Sequence, residues 1–354
     1  MDCTEYKIPE LLRDEIEQLL SNSAEDYALL DGKIFFVTGA TGIIGYNLIH
    51  TLLYIRERLG VRIIVKALVR DIDKAKMLFG QNNSLELIKG DVRKPIVFDG
   101  KADYVIHAAS ITSSRMFVEA PVDVIETAVR GTCSVLDLAK EKTAERFIYL
   151  SSMEVYGTPQ DDDSITESHV TDIDTMKPRS CYPESKRMCE TLCTAYMHQF
   201  DVPVIVMRLT QTFGVGVKYD DPRVFAEFAR CALEKKDIIL HTDGGTKRNY
   251  LYTADAVKAI LLAVLKGVPG EAYNVANEET YCSILDMARL VCRCCANDDI
   301  DVVIQNTDKD SFGYAPKLSM NLDCSKIRAL GWKAEYDLEE MFKRLCMSMK
   351  QDRR

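Results

Sequence analysis

Lys33-Ile34-Phe35-Phe36-Val37-Thr38-Gly39-Ala40-Thr41-Gly42-Ile43-Ile44-Gly45 is the stretch that decides how this chain folds. Ile34 to Val37 is a short apolar run of the kind a buried parallel strand needs, and it runs into glycines. Tyr46-Asn47-Leu48-Ile49-His50-Thr51-Leu52-Leu53 then reads as a helix. A glycine-rich turn between a buried strand and a helix lets backbone amides approach a pyrophosphate, and the helix N-terminus adds favourable electrostatics. The other reading is a tight structural turn; the strand-turn-helix context favours dinucleotide binding by Gly39, Thr41, Gly42, Ile43, Ile44 and Gly45.

Outward from that turn the pattern repeats. Arg62 to Val69 reads as a second strand, followed by Arg70 where an acidic residue for the adenosine ribose is expected. An arginine there suits a 2′-phosphate, or lies on the adenine face or in solvent, so NADP stays open beside NAD. Leu85 to Val92 reads as a third strand, with Asp91 placed to accept from the adenine amine and Val92 beside it. Tyr104 to Ser110 reads as a fourth, whose small Ala108 and Ala109 allow close approach of a cofactor; His107 is read as structural. A helix through Val122 to Lys140 leads to a fifth strand, Arg146 to Leu150. This alternation predicts an α/β fold, a doubly wound parallel sheet with ligands at the carboxyl ends of its strands.

Ser151-Ser152-Met153-Glu154-Val155-Tyr156-Gly157 therefore falls at the active-site end of strand five. Ser152 can hydrogen-bond a substrate hydroxyl, and Glu154 is an acid or base acting one carbon away, or a salt-bridge partner. Tyr182 and Lys186, in Tyr182-Pro183-Glu184-Ser185-Lys186, share one face at the start of a helix. At that spacing the ammonium can lower the phenol's pKa and make it a usable base.

Composition bounds the partners. The 354 residues are 47% hydrophobic and 28% charged, an ordinary globular balance with room for one large core or two lobes. A net charge of −9 argues against nucleic acid and membrane surfaces as partners. No apolar run is long enough to span a bilayer or resembles a signal peptide, and a cytoplasmic location is expected. Twelve scattered cysteines without zinc-ligand spacing read as reduced thiols, with no metal site expected. Residues 1–30 form a helical extension in which Leu12, Ile16, Leu19 and Leu20 share a face.

Taken together, Thr38 to Gly45, His107-Ala108-Ala109, Ser151-Ser152 and Tyr182 with Lys186 resemble an extended short-chain dehydrogenase/reductase of the nucleotide-sugar epimerase/dehydratase group. Arg179-Ser180-Cys181-Tyr182, Lys186-Arg187, Glu190-Thr191-Leu192, Asp221-Pro222-Arg223-Val224 and Thr246-Lys247-Arg248 ahead of Asp255 are similar to UDP-glucuronate decarboxylases within it. The resemblance implies a Rossmann-like sheet with a smaller mixed α/β substrate-binding lobe. It places the dinucleotide domain in residues 31–207 plus about 251–280, and the lobe in 208–250 plus 281–354. It implies NAD, a nucleotide-diphosphate sugar held by Gln211, Arg223 and Arg248, and a homodimer formed by the helices beginning near Val122 and Tyr182. The reaction it implies oxidises a sugar hydroxyl at C4 to a transient ketone, followed by decarboxylation, epimerisation or 4,6-dehydration. An NADPH-dependent reductase, favoured by Arg70, and a non-catalytic cofactor sensor are the alternatives.

The chain departs from that group at identifiable places. Met153 stands where dehydratases carry an aspartate and decarboxylases a serine, and a thioether cannot protonate a leaving hydroxyl. Gln211 replaces an asparagine usual for diphosphate contacts, and Phe312-Gly313-Tyr314-Ala315-Pro316 stands where an arginine is frequent. In the lobe, an apolar helix opened by Leu251 to Val257, a strand over Glu271 to Ala276 returning to the main sheet, and amphipathic helices over 283–296 and 336–348 are expected.

Overall fold

The computed structural model describes residues 8–21, 24–305 and 317–352; the stretch Phe312 to Pro316 lies outside them. The first half of the chain alternates as its pattern predicts: α1 (Glu10–Ser21), α2 (Ala24–Ala28), β1 (Ile34–Thr38), α3 (Ile43–Leu59), β2 (Ile64–Val69), α4 (Ile72–Phe79), β3 (Leu85–Lys89), β4 (Tyr104–His107), α5 (Ser114–Glu119), α6 (Pro121–Glu141) and β5 (Arg146–Ser152). The second half is less regular: β6 (Ser164–Ile165), α7 (Cys181–Phe200), β7 (Val204–Leu209), β8 (Gln211–Phe213), α8 (Val224–Glu234), β9 (Ile238–Leu240), β10 (Lys247–Tyr252), α9 (Thr253–Lys266), β11 (Ala272–Val275), β12 (Asn277–Ser283), α10 (Ile284–Ala296), β13 (Val302–Ile304), β14 (Ser319–Leu322), α11 (Ser325–Arg328) and α12 (Leu338–Asp352).

Seven strands form one parallel sheet in the order β11-β7-β5-β4-β1-β2-β3. The chain builds outward from β1 to one edge and then returns to β4 on its other side, so the order reverses between β1 and β4. Such a switch point opens a crevice at the strands' carboxyl ends. β1 and β4 are apolar runs with both faces covered by helices, which is why Phe35, Phe36, Val37, Val105 and Ile106 are wholly buried. The expected strand over Glu271 to Ala276 is β11, and it joins this sheet beside β7.

A second sheet runs β12-β10-β14-β6, with β8 also on β10; only the β10–β12 pair is antiparallel. β9 and β13 make a separate parallel pair. Aromatic side chains from β8 and β10 meet α8, α10 and α12 in a core of their own, built on Phe213, Phe225, Tyr250, Tyr252 and Phe342. Leu251 and Tyr252 belong to β10 rather than to the following helix, which starts at Thr253. The N-terminal helix is integrated: Leu12, Ile16, Leu19 and Leu20 enter the main core, and Tyr252 donates a hydrogen bond to Glu15. Among the described residues no helix is long and apolar enough to cross a membrane, and no group of three or more metal-ligating side chains could hold an ion.

Candidate active site

The glycine turn is shaped by close approach. Gly39 has φ +69°, and a Cβ there would lie 2.6 Å from the Ala108 carbonyl, so the turn lies directly against the end of β4. The Gly42 amide donates to the Gly39 carbonyl at 2.9 Å, and α3 begins one residue later with no side chain capping its first amides. Thr41, Ile43 and Ile44 sit on this cradle, partly exposed. An uncapped helix start behind a turn whose Gly39 and Gly45 leave no room for a Cβ fits a dinucleotide pyrophosphate.

Around the cradle the expected cofactor contacts are only partly free. Asp91 lies in the turn after β3, where both carboxylate oxygens are taken by Arg93, the closest approach being 2.7 Å. That pairing holds the Asp91 carboxyl down to about 2, so an adenine amine would share an acceptor already engaged. Arg70 is exposed beyond β2 and makes no ion pair among the described residues. Val92 packs against Gly131 of α6, where a Cβ would come within 3.0 Å of it. His107 is buried between the Thr38 hydroxyl at 2.7 Å and the Thr132 hydroxyl at 3.2 Å; burial depresses its pKa to about 3, which keeps the ring neutral.

Ser152 ends β5 and accepts from the Glu154 amide at 3.2 Å, which starts the single turn of 3₁₀ helix over Met153–Tyr156. Tyr182 occupies the first turn of α7 with its ring stacked on Phe117, centroids 4.4 Å apart. Burial, then the Glu154 charge, raises the Tyr182 pKa, whereas a hydrogen bond from Ser152 and the charges of Arg179 and Arg223 pull it down. Lys186, from which that help is expected, is not among the strongest of these influences. Its ammonium lies 5.9 Å from the Tyr182 ring centroid and donates instead to the Leu150 carbonyl at 2.7 Å.

Lys186 is 4% exposed, and burial lowers its pKa to about 8. With one hydrogen bond made, two of its three donors remain for a ligand, which suits the vicinal hydroxyls of a nicotinamide ribose. Glu154 is held by Arg179 through contacts of 2.8 and 3.1 Å. Arg179 in turn lies over Phe117, 5.4 Å from its centroid. Phe117 is not singled out by sequence pattern, and although Arg179 lies in the motif before Tyr182, its pairing with Glu154 joins two short 3₁₀ helices distant along the chain, which no local pattern reports.

The second sheet supplies the remaining groups. Gln211 opens β8 with its carbonyl oxygen buried and without a hydrogen-bond partner among the described residues, and Arg248 on β10 has its Nε in the same condition. Arg223 precedes α8 and is held by Asp221 at 2.6 Å, yet its charge still acts on Tyr182 across the crevice. Met153 is buried, its sulfur 3.2 Å from the Thr210 hydroxyl. The crevice thus brings together Ser152, Glu154, Tyr182, Lys186 and Arg223, with Gln211 and Arg248 on the sheet behind.

The model of the NAD dependent epimerase/dehydratase family matches residues 35–276. The chain belongs to this family. Among curated members, UDP-glucuronic acid decarboxylase 1 of Xenopus tropicalis is 30% identical over 296 residues, covering 81% of this chain and 68% of the relative. UDP-glucuronic acid decarboxylase 6 of Arabidopsis thaliana is 29% identical over 304 residues, 86% of this chain and 85% of its own. Among solved structures, an epimerase from Methanothermobacter thermautotrophicus superimposes with a TM-score of 0.78 at 21% identity, covering 94% and 96% of the two chains. The UDP-glucuronic acid 4-epimerase of Bacillus cereus, solved with NAD, gives 0.73 at 21% identity, covering 90% and 99%. These structural likenesses extend the family fold through the second sheet.

Proposed function

We propose that this chain modifies the sugar of a nucleotide-diphosphate sugar, oxidising the C4 hydroxyl to a transient ketone, and that its specific reaction is decarboxylation of UDP-glucuronate. What carries this reading is the meeting of Ser152, Tyr182 and Lys186 at the carboxyl end of β5, beside a glycine turn that fits a dinucleotide. A nicotinamide held there would supply a reversible hydride acceptor. Tyr182 takes the hydroxyl proton, Ser152 orients that hydroxyl, and Lys186 holds the ribose. Proton transfers of this kind contribute about 10²- to 10⁴-fold each.

A C4 ketone is β to the C6 carboxylate of a glucuronate, so the C5–C6 bond can break with its electrons flowing into the carbonyl. CO₂ leaves and C5 gains a proton, a transfer assigned in this reading to Glu154 as the acid or base acting one carbon away. Arg248 is the residue to meet the carboxylate. Elimination of water is disfavoured because the side chain next to Glu154 is the buried thioether of Met153. The similarity to UDP-glucuronic acid decarboxylases of Xenopus tropicalis and Arabidopsis thaliana supports the same reading. NAD is the proposed cofactor, and the two lobes are proposed to divide as dinucleotide-binding and sugar-binding units.

The test is mass spectrometry of the purified protein's bound cofactor, followed by UDP-, dTDP-, CDP- and GDP-sugars. Expected are NAD, and from UDP-glucuronic acid both CO₂ and a UDP-pentose; Tyr182→Phe loses this turnover while retaining the dinucleotide. Full activity of that variant would remove the scheme. Arg70, exposed and without an ion pair among the described residues, favours a second reading, an NADPH-dependent reductase, which would show net consumption of added NADPH.

A further inference from the structure

Two hydrophobic cores meet along a seam in this molecule, and α1 lies across it. Leu12, Ile16, Leu19 and Leu20 enter the main core, where α1 packs on α3 and α9. The polar residues of α1 divide between the two sides. Glu17 accepts from the Tyr54 hydroxyl at 2.5 Å and from Arg58 Nε at 3.2 Å, both on α3. Glu15 accepts from the Tyr252 hydroxyl of β10 at 2.5 Å, and Arg344 of α12 lies 3.6 Å away. Gln18 donates to Glu335 at 3.0 Å and accepts from the Tyr336 hydroxyl at 3.1 Å. Tyr252 and Tyr336 are members of the second core.

The Glu15–Tyr252 bond falls where the chain passes between the lobes. Tyr252 ends β10, and Thr253 begins α9, whose Ala256, Val257 and Ile260 belong to the main core. Gly214 marks a second crossing, between Phe213 of the second core and Val215 of the main one, and a Cβ there would lie 2.6 Å from the Tyr252 ring. Tyr336 marks a third: it follows Trp332 of the main core, and its ring centroid is 4.4 Å from that of Tyr252. Three crossings therefore converge on one phenol, and α1 holds its hydroxyl. Gln18 is exposed, so its bonds compete with water and contribute little. Glu15 and Tyr252 are both buried, and breaking their bond leaves a buried hydroxyl unsatisfied.

We propose that Glu15 is a positioning residue for the substrate: by gripping Tyr252 at the crossing, α1 clasps the two lobes and fixes β10 relative to the lobe that carries Tyr182. The ligand rests on the nucleotide-sugar reading above. That ligand spans the crevice and needs both walls at one separation, whereas the glycine cradle is built on β1 and α3 within a single lobe. Loss of the clasp thus weakens the nucleotide sugar and spares the dinucleotide. Glu15 acts as an acceptor, so a glutamine, whose amide oxygen also accepts from Tyr252, replaces it and a leucine does not.

The full-length protein and its Glu15→Leu, Glu15→Gln and Tyr252→Phe variants would be titrated calorimetrically with UDP-glucuronic acid, assayed for bound dinucleotide by mass spectrometry, and followed by hydrogen exchange without added ligand. Glu15→Leu and Tyr252→Phe should each bind the nucleotide sugar about 3- to 30-fold more weakly, with the dinucleotide retained. The double variant should be no weaker than either single one, since both remove the same bond. Glu15→Gln should match the wild type. Amides of β10 and α12 should exchange faster in Glu15→Leu, and those of β1 should not. Unchanged affinity in both weakened variants, a parallel loss of dinucleotide, or a Glu15→Gln as weak as Glu15→Leu overturns the clasp and leaves the nucleotide-sugar reading in place. A wild-type protein that binds no nucleotide sugar overturns that reading instead, and unchanged exchange in β10 and α12 then overturns the clasp as well.

Discussion

At Tyr182 the difficulty for catalysis is burial. A phenol that must lose a proton sits at 7% exposure beside the Glu154 carboxylate, and both influences raise its pKa. Arg179 opposes them twice, by its own charge on the phenol and by tying down Glu154 with two contacts. If Tyr182 acts as the base, activity rises with pH as it ionises. Arg179→Met removes the cation and frees the carboxylate, so the ascending limb of the kcat profile should move to higher pH by about one unit or more; an unmoved limb would separate Arg179 from the tyrosine. The Tyr182 and Lys186 spacing was legible in the sequence because a helix fixes which residues share a face. The pairing of Arg179 with Glu154 was not, because it depends on how two short 3₁₀ helices, distant along the chain, meet. Asp91 shows the same limit, since its short-range engagement by Arg93 carries no periodic signal.

Among elements, α1 has the most to test. Its Glu15 is 2% exposed, accepts from Tyr252, lies 3.6 Å from Arg344 and has no hydrogen-bond partner for its second oxygen among the described residues. Burial raises its pKa from the ordinary 4.5 to about 7, with Asp255 adding to the rise and Tyr252 and Arg344 opposing it. The folded protein therefore keeps a proton that the unfolded chain releases, and the associated stability is complete below about pH 4.5 and lost as pH rises through about 7. His50, held down to about 4 by burial, works in the opposite sense and is shared by any Glu15 variant. Glu15→Gln should thus gain stability relative to wild type between pH 4.5 and 8, by roughly 2–3 kcal/mol, read from urea midpoints at each pH. A difference that does not change with pH would mean that Glu15 titrates normally.

For the whole molecule, α6 and α7 lie side by side and leave Val122, Ile125 and Met188 exposed at 67%, 44% and 49%. A homodimer through this face is the proposed assembly. Light scattering should give twice the chain mass, and Val122→Glu with Ile125→Glu should return it to one chain; a wild-type monomer would dismiss the assembly. By itself the sequence determined the parallel sheet, the glycine turn and the alignment of Tyr182 with Lys186, because these follow from local apolar runs, glycine freedom and helical periodicity. Only the tertiary structure decided the second sheet, whose strands of two to seven residues pair across long separations. It also decided the burial of Glu15 and the pairing of Arg179 with Glu154, since desolvation and long-range partners are properties of what surrounds a residue rather than of its neighbours along the chain.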